Sequence, residues 1–311
     1  MERPIVFDAH CDTISRCWRE YEDLERNTGA VDLDRAGRAF AHYAQIFALW
    51  TAPGYTGGGT EQEAYRALLR CFHRQLERNG DRICLCRTGA DIQRAWRQGK
   101  AAALLSVEGA QLLGCDPDRL EGAAADGVRV ITLTWNHANA LSGSHCDQPE
   151  QGLTPLGRRF LARMGELGIF ADVSHLSEAG FWDVIEQARR PVLATHSNAK
   201  SVWGHTRNLT DGQITAIIKL QGIIGLNFYR EFVGLGRDLD AVRAHLDHIL
   251  ELGGADCVAL GGDWDGCDTI ADLPDLPALD RFYEYLLRCR YGEPVVRGLF
   301  YHNLMRVVSC S

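Results

Sequence analysis

Eight short apolar runs, most of them followed by a segment with helical periodicity, restrict the fold of this chain more than any other feature. The runs cover residues 4–9, 42–49, 101–107, 128–134, 169–173, 191–195, 222–227 and 257–262. They are almost continuously apolar, which is typical of parallel strands buried on both faces. Eight parallel strands with intervening helices predict a (β/α)8 barrel of the TIM type, with residues 1–311 as a single domain.

Capping residues mark where several of the predicted helices begin. Thr154, which precedes a proline, predicts one helix start, and Ser177 and Asp211 predict two more. Amphipathic stripes over 61–80 and 238–252 predict two long helices of the outer ring.

Three polar or glycine-rich segments interrupt the alternation of strands and helices. Residues 13–38 form a charged connection, residues 50–60 contain four glycines, and residues 141–152 are rich in turn formers. All three follow the carboxyl ends of strands, where a barrel keeps its site, so we expect them to form walls or lids. Tyr55 and Tyr229 would either line the pocket or pack in the core.

Composition excludes several classes of protein. The net charge is −8 without a basic cluster, which argues against nucleic-acid binding. No leader and no window of about 20 apolar residues is found, so we expect a cytoplasmic protein without membrane contact. Eleven cysteines without a Cys-x-x-Cys pair predict reduced thiols, and Cys11 is interpreted as a packing residue.

His10 and Asp12 follow the first apolar run and are the first candidate metal ligands. Side chains at i and i+2 of a strand point the same way, so both can face one point beyond the strand end. An imidazole and a carboxylate suit a zinc-type ion. Taken alone, the pair is weak evidence and favours an ordinary hydrogen-bonded turn over a metal site.

Further potential ligands end four other strands. They are Glu108, His175, His196 and Asp263. Each has an ordinary alternative, as a helix cap or as a core histidine bonded to the backbone. Because the carboxyl ends of barrel strands meet at one mouth, their joint occurrence predicts a metal site there.

The number of candidate ligands exceeds what one zinc ion with an open position requires. We therefore predict two divalent ions, expected to be Zn²⁺, with a bridging carboxylate. His10, Asp12 and Glu108 would hold one ion, and Glu108, His175 and His196 would hold the other.

Seven motifs in order resemble the membrane dipeptidase (renal dipeptidase) family of zinc metallopeptidases in its bacterial form. The motifs are Asp8–Asp12, Ser106–Gly109, Leu133–Asn136, Asp172–His175, Thr195–Ser197, Arg207–Asp211 and Gly262–Gly266. The resemblance implies a binuclear zinc barrel that hydrolyses dipeptides, often with a D-residue at the C-terminal position, by a hydroxide that both ions share. A homodimer is expected for such enzymes.

The resemblance also implies roles for residues outside the ligand set. Asp263 would carry the proton to the leaving amine, although support of a ligand is an alternative. Arg207 would bind the substrate carboxylate, with a surface salt bridge as the alternative. Trp135 stands where the mammalian members have a substrate-binding histidine, and strand parity makes His137 a candidate replacement.

Two other functions remain open at this level. A deaminase or lactonase would use a similar metal site at the barrel mouth. Such enzymes usually begin with a His-x-His motif and often use a carbamylated lysine as the bridging ligand, whereas this chain has His-x-Asp and Glu108. A catalytically silent barrel that binds metal or peptides is the second alternative, and the presence of Asp263 and Arg207 argues against it.

Overall fold

A closed barrel of eight parallel strands forms the centre of the computed structural model, which describes residues 3–52 and 56–310. The strands are β1 (Ile5–Cys11), β2 (His42–Leu49), β3 (Ile83–Leu85), β4 (Ala101–Glu108), β5 (Val128–Thr132), β6 (Phe170–Asp172), β7 (Leu193–Ala194), β8 (Ile223–Leu226) and β9 (Val258–Leu260). Their order is β2-β1-β9-β8-β7-β6-β5-β4, and pairing of β4 with β2 closes the ring. The predicted TIM-type barrel is confirmed, while the assignment of residues 1–311 to one domain stays a prediction.

The ninth strand, β3, lies beside the beginning of β4 and was not predicted. β3 pairs with the beginning of β4, Ala101–Ala103, and β5 pairs with its later part. The two strands therefore lie on the same side of β4, one after the other. The apolar run of β3, residues 83–86 between two arginines, is shorter than each of the eight runs that predicted strands, which is why the sequence did not indicate this strand.

The helices surround the barrel on its outer side and at one end. They are α1 (Thr13–Glu20), α2 (Leu33–Ala39), α3 (Glu61–Arg78), α4 (Gly89–Arg97), α5 (Leu120–Asp126), α6 (Pro155–Glu166), α7 (Glu178–Gln187), α8 (Asp211–Lys219), α9 (Arg230–Val233), α10 (Leu239–Glu251), α11 (Ala278–Arg288), α12 (Glu293–Arg297) and α13 (Asn303–Ser309). Short 3₁₀ turns cover Ala110–Leu113 and Pro117–Arg119, and a π-helical turn covers Gly298–His302. None of these helices, within the described ranges, has the length and apolar character needed to cross a membrane.

The predicted helix starts agree with the caps in the structure. The side chains of Thr154 and Ser177 accept hydrogen bonds from the first turns of α6 and α7. Asp211 is the first residue of α8, and Thr210 before it is the cap. The segment 13–38, predicted as a connection, instead contains α1 and all but the last residue of α2.

Two apolar layers hold the barrel together, one inside the strands and one between strands and helices. Every barrel strand contributes to the inner layer, for example Phe7 from β1, Ile46 from β2 and Leu104 from β4. Residues of α4 and α13 join this layer, so these two helices cover the end of the barrel opposite to the candidate site. Cys11 is fully buried in the outer layer, as expected of a packing residue.

A bulge near the end of β1 changes the direction of the residues that follow it. Asp8 pairs with Gln45 and Cys11 pairs with Phe47, so β1 has one more residue than β2 over this interval. Such a bulge bends the strand and re-aims its side chains. The side-chain alternation assumed for His10 therefore does not extend through this bulge, although His10 still faces the barrel mouth, 3.6 Å from Glu108.

Candidate metal centre and active site

A buried carboxylate, Asp8, fixes the backbone that carries the first candidate ligand. Its Oδ1 accepts hydrogen bonds from the His10 backbone N–H at 2.9 Å and from Gln45 Nε2 at 3.0 Å. Its Oδ2 accepts from the Gly262 N–H at 3.0 Å and from Trp264 Nε1 at 3.1 Å. Burial raises the pKa of Asp8, and these bonds act in the opposite direction. Asp8 thus ties the end of β1 to the loop after β9.

The structure brings the five predicted ligands together at the carboxyl ends of the strands. Glu108 lies in the middle: its Oε1 is 2.9 Å from His175 Nε2 and 3.5 Å from His196 Nε2. Its Oε2 is 3.6 Å from His10 Nε2, which in turn is 3.5 Å from Asp12 Oδ2. All five side chains are buried. Residues that are far apart in sequence therefore form one cluster of nitrogen and carboxylate oxygen atoms.

Several distances in this cluster fit a metal site better than a hydrogen-bond network. Two ligands that each lie about 2 Å from a tetrahedral zinc ion are about 3.3 Å apart. The 3.5 Å and 3.6 Å separations around His10 are close to this value and too long for good hydrogen bonds. Among residues 3–52 and 56–310, His10 Nε2 and Asp12 Oδ1 are buried without a hydrogen-bond partner. A cation would satisfy both atoms.

Hydrogen bonds on the far side of two imidazoles orient their lone pairs into the cluster. Thr195 Oγ1 donates to Asp172 Oδ2 at 2.6 Å and therefore accepts from His196 Nδ1 at 2.8 Å. Asn136 Oδ1, an acceptor, lies 2.8 Å from His175 Nδ1. Each ring thus carries its proton on Nδ1 and a lone pair on Nε2. The two Nε2 atoms are 2.9 Å apart, an arrangement of two facing lone pairs that a cation between them would stabilise.

The electrostatics of the cluster also favour a cation. Burial, the largest influence, lowers the pKa of His175 and of His196 well below the usual value, so both rings are neutral ligands at neutral pH. Burial likewise raises the pKa of Glu108 to about 7. Burial acts to lower the pKa of His10, but Glu108 and neighbouring carboxylates outweigh it and raise that pKa well above its usual value. The carboxylate charge that holds a proton on His10 in the metal-free site would equally attract a divalent ion in its place, so the residues present fit a divalent metal centre.

Asp263 lies at the edge of the cluster on the loop after β9. Its Oδ1 is 3.9 Å from His10 Nε2, and its Oδ2 accepts a hydrogen bond from Asn227 Nδ2 at 3.0 Å. Its backbone has φ 58°, a left-handed conformation that Asp adopts more readily than most residues. His10, Asp12 and Asp263 are close enough to share one ion, so Asp263 is placed either to carry a proton or to act as a ligand.

Arg207 is a buried cation with only neutral hydrogen-bond partners. It is 4% exposed, and its guanidinium donates to Ser197 Oγ at 3.3 Å and to the His196 carbonyl at 3.2 Å. Its Nε has no partner, and no carboxylate forms an ion pair with it, within the part of the chain that the structure describes. A surface salt bridge, the alternative considered for this residue, is therefore wrong. A buried guanidinium without a counter-ion is suited to bind an anionic group.

A cavity of about 820 Å³ opens above the cluster. Trp50 and Trp135 form part of one wall, with ring centres 5.2 Å apart. Tyr229 and Phe232 form another part, and Phe232 also packs on Arg207, whose Cζ is 5.4 Å from its ring centre. Of the two alternatives predicted for Tyr229, pocket lining and core packing, the structure supports pocket lining. Tyr55 lies outside the described residues.

Trp135 and Asn136 line the cavity at this strand end, whereas His137 is not among the described residues that do. The His137 side chain is 64% exposed, and its Nδ1 is 3.9 Å from Asp147 Oδ2. β5 ends at Thr132, so strand alternation does not extend to these positions and the parity argument fails. A substrate-binding role for His137 stays a prediction without support from this geometry.

The sequence did not indicate the residues that form hydrogen bonds with the Nδ1 atoms of the proposed histidine ligands. Asn136 and Thr195 lie within the quoted motifs, but their contacts with His175 and His196 depend on geometry that the motifs do not show. His145, on the 141–152 segment, bonds Asn136 Oδ1 through Nε2 at 2.9 Å. Burial, followed by nearby Arg207 and His205, lowers the pKa of His145 to about 3, so this ring is neutral. Nothing in the sequence distinguishes it from a loop histidine.

Comparison with known proteins agrees with this geometry. The family model described as "Membrane dipeptidase (Peptidase family M19)" matches residues 1–310. The chain belongs to this family. It is therefore a metal-dependent dipeptidase and a hydrolase, and the deaminase, lactonase and silent-barrel alternatives are not supported.

Individual relatives of this dipeptidase cover most of the chain. An uncharacterized protein in the pqqA 5' region of Klebsiella pneumoniae is 35% identical over 247 residues, which is 75% of this chain and 91% of that protein. A metallo peptidase from Rhodobacter sphaeroides, liganded with a phosphinate mimic of the dipeptide L-Ala-D-Ala, is 29% identical with a TM-score of 0.88 and 99% of both chains covered. A dipeptidase AC of family M19 is 29% identical with a TM-score of 0.87, covering 99% of this chain and 98% of that one.

Proposed function

We propose that this dipeptidase works with two zinc ions that share one carboxylate. His10, Asp12 and Glu108 would bind one ion, and Glu108, His175 and His196 the other. The observation that carries this proposal is the position of Glu108, whose Oε1 faces His175 at 2.9 Å while its Oε2 faces His10 at 3.6 Å. Imidazole nitrogen and carboxylate oxygen atoms are ligands that zinc prefers.

The proposed chemistry combines the ions with a proton carrier. When bound, two divalent ions make a water molecule acidic enough to act as a nucleophile near neutral pH and polarise the scissile carbonyl. Asp263 accepts the proton of the nucleophile and passes it to the leaving amine. Its Oδ1 is available for this exchange because the hydrogen bond from Asn227 occupies Oδ2.

Arg207 would bind the C-terminal carboxylate of the substrate. The support is its burial without a carboxylate partner among the described residues, because a guanidinium binds such a group through two parallel hydrogen bonds. This anchor and the enclosing walls would restrict substrates to short peptides with a free carboxylate. Phe232 packs on the guanidinium and lines the cavity, so it would lie beside the bound carboxylate.

Replacing Arg207 with Met is expected to weaken substrate binding while both metal ions stay bound. Hydrogen bonds to charged groups contribute about 1.5–3 kcal/mol each, so KM should rise on the order of 100-fold for a dipeptide. Steady-state kinetics and metal analysis of the same preparation measure the two effects.

The matched control for Arg207 is Arg230→Met. Arg230 is half exposed near the same mouth and forms an ion pair with Asp268 at 3.0 Å, so KM should change little. An unchanged KM for Arg207→Met would contradict the proposed carboxylate site.

We also infer that substrates include dipeptides with a C-terminal D-residue. The support is the similarity to the Rhodobacter sphaeroides metallo peptidase, whose ligand mimics L-Ala-D-Ala. The test removes metal with a chelator, restores Zn²⁺ stepwise, and measures turnover of L-Ala-D-Ala and L-Ala-L-Ala against zinc content. We expect activity to saturate at two ions per chain with both substrates cleaved.

Several outcomes of this titration would contradict parts of the proposal. Saturation at one ion would argue against a shared carboxylate, and cleavage of L-Ala-L-Ala alone would argue against D-residue substrates. A homodimer, a cytoplasmic location and a role for His137 stay predictions.

A further inference from the structure

The loop histidine His145 bonds two residues, Asn136 and Thr206, that lie next to groups used in the proposed reaction. Its Nε2 is 2.9 Å from Asn136 Oδ1, and its Nδ1 is 2.8 Å from Thr206 Oγ1. Its backbone N–H donates to the His175 carbonyl at 2.8 Å, and the two rings are in edge contact with centres 5.9 Å apart. His145 is neither a proposed metal ligand nor the proposed carboxylate anchor, so the proposed reaction gives it no role of its own.

The directions of these hydrogen bonds follow from the groups involved. The Asn136 oxygen only accepts, so the Nδ1 of His175 and the Nε2 of His145 both donate to it. A neutral imidazole that donates from Nε2 accepts at Nδ1, so the hydroxyl of Thr206 donates to His145. Each atom of this network therefore acts either as donor or as acceptor. A 180° rotation of the His145 ring about its Cβ–Cγ bond would break both of its hydrogen bonds.

Both ends of this chain of bonds reach the proposed machinery. On one side, Asn136 holds His175, whose Nε2 faces Glu108 Oε1 at 2.9 Å. On the other side, Thr206 directly precedes Arg207, whose guanidinium donates to the His196 carbonyl at 3.2 Å. His145 therefore connects a metal-binding strand end to the loop of the carboxylate anchor.

We propose that His145 is a positioning residue that orients His175 through Asn136 and holds the Arg207 loop through Thr206. The proposal rests on the proposed function, because it takes His175 as a metal ligand and Arg207 as the carboxylate anchor. It predicts that the two bonds of His145 support two separable properties, metal affinity and substrate binding.

Two amide substitutions separate the bonds. In His145→Gln, the terminal amide reaches the position of Nε2 and can donate to Asn136, but the bond from Thr206 is lost. In His145→Asn, the shorter amide reaches the position of Nδ1 and can accept from Thr206, but the bond to Asn136 is lost. His145→Phe removes both bonds and retains the ring.

The readouts are the affinity of the metal-free protein for Zn²⁺, from chelator competition, and the KM for L-Ala-D-Ala at saturating Zn²⁺. We expect His145→Asn to weaken Zn²⁺ binding about tenfold with KM retained, and His145→Gln to raise KM about tenfold with Zn²⁺ affinity retained. His145→Phe should show both changes. The matched control, His42→Phe, replaces a ring that stacks on Trp96 at 5.2 Å, away from the site, and should change neither.

Two results would overturn the inference. Equal changes of both readouts in the Gln and Asn variants would mean that the ring only fills space, and unchanged readouts in all three variants would mean that it positions nothing. Variants His175→Ala and Arg207→Met are measured in parallel. If these two leave Zn²⁺ affinity and KM at wild-type values, the proposed function itself fails; if they change as expected, only the role of His145 is overturned.

Discussion

Replacing Glu108 with Gln is expected to remove both metal ions and nearly all dipeptide hydrolysis. Glu108 places one oxygen 2.9 Å from His175 and the other 3.6 Å from His10, so both proposed ions depend on its charge. Glutamine keeps the size but supplies no negative charge in a buried cluster. Bound ions contribute several kcal/mol of transition-state stabilisation, so the loss of kcat/KM should be on the order of 10³-fold or more.

Ion counting distinguishes this variant from His175→Ala. The alanine variant lacks one proposed ligand and should retain a single ion, held by His10, Asp12 and Glu108, with turnover almost lost. Metal analysis after dialysis against dilute Zn²⁺ measures the stoichiometry. Glu251→Gln, on the exposed end of α10, is the control and should bind the same number of ions as the wild type. Two ions and wild-type turnover in Glu108→Gln would contradict the shared-carboxylate centre.

Asp263→Asn is expected to keep both ions and to lose turnover. An amide oxygen can still accept the hydrogen bond from Asn227, and Asn tolerates the left-handed backbone at this position, where φ is 58°. The amide cannot accept the proton of the nucleophile, and general acid–base groups contribute roughly 10²- to 10⁴-fold to rate. We therefore expect kcat to fall by about this factor with little change of KM.

The same variant also tests the alternative role of Asp263. His10, Asp12 and Asp263 are close enough to share an ion, so loss of one ion in Asp263→Asn would make Asp263 a ligand and contradict its assignment as proton carrier. Asp265→Asn is the matched control. Asp265 also has a positive φ and lines the cavity, but its oxygens accept hydrogen bonds from Thr13 Oγ1 at 2.7 Å and the Ala30 N–H at 2.6 Å. Its replacement should retain most of the turnover.

The barrel was predictable because its signal is local and repeated. Each apolar run indicates a strand buried on both faces, and eight such runs alternating with helical segments leave few other architectures. The signal weakens where an element is short. The apolar run at β3 has only four residues, 83–86, and did not predict a strand. The strand that was predicted to end at residue 134 ends at Thr132, which removed the basis for placing His137 by parity.

The meeting of His10, Asp12, Glu108, His175 and His196 was predictable for a related reason. Parallel strands of a barrel all end at the same mouth, so a potential ligand at each strand end is enough to predict a cluster without any distances. The sequence by itself therefore determined the fold class and which side chains meet.

Only the tertiary structure decided how those side chains are oriented and supported. The bulge in β1, the burial of Arg207 and the bonds that link His175, Asn136 and His145 depend on how loops fold back onto the strand ends. Loops have no periodic pattern, and their hydrogen bonds join residues that are distant in sequence. For that physical reason, amino-acid order indicates which groups reach the mouth, while three-dimensional packing determines which nitrogen carries a proton and which lone pair faces the cluster.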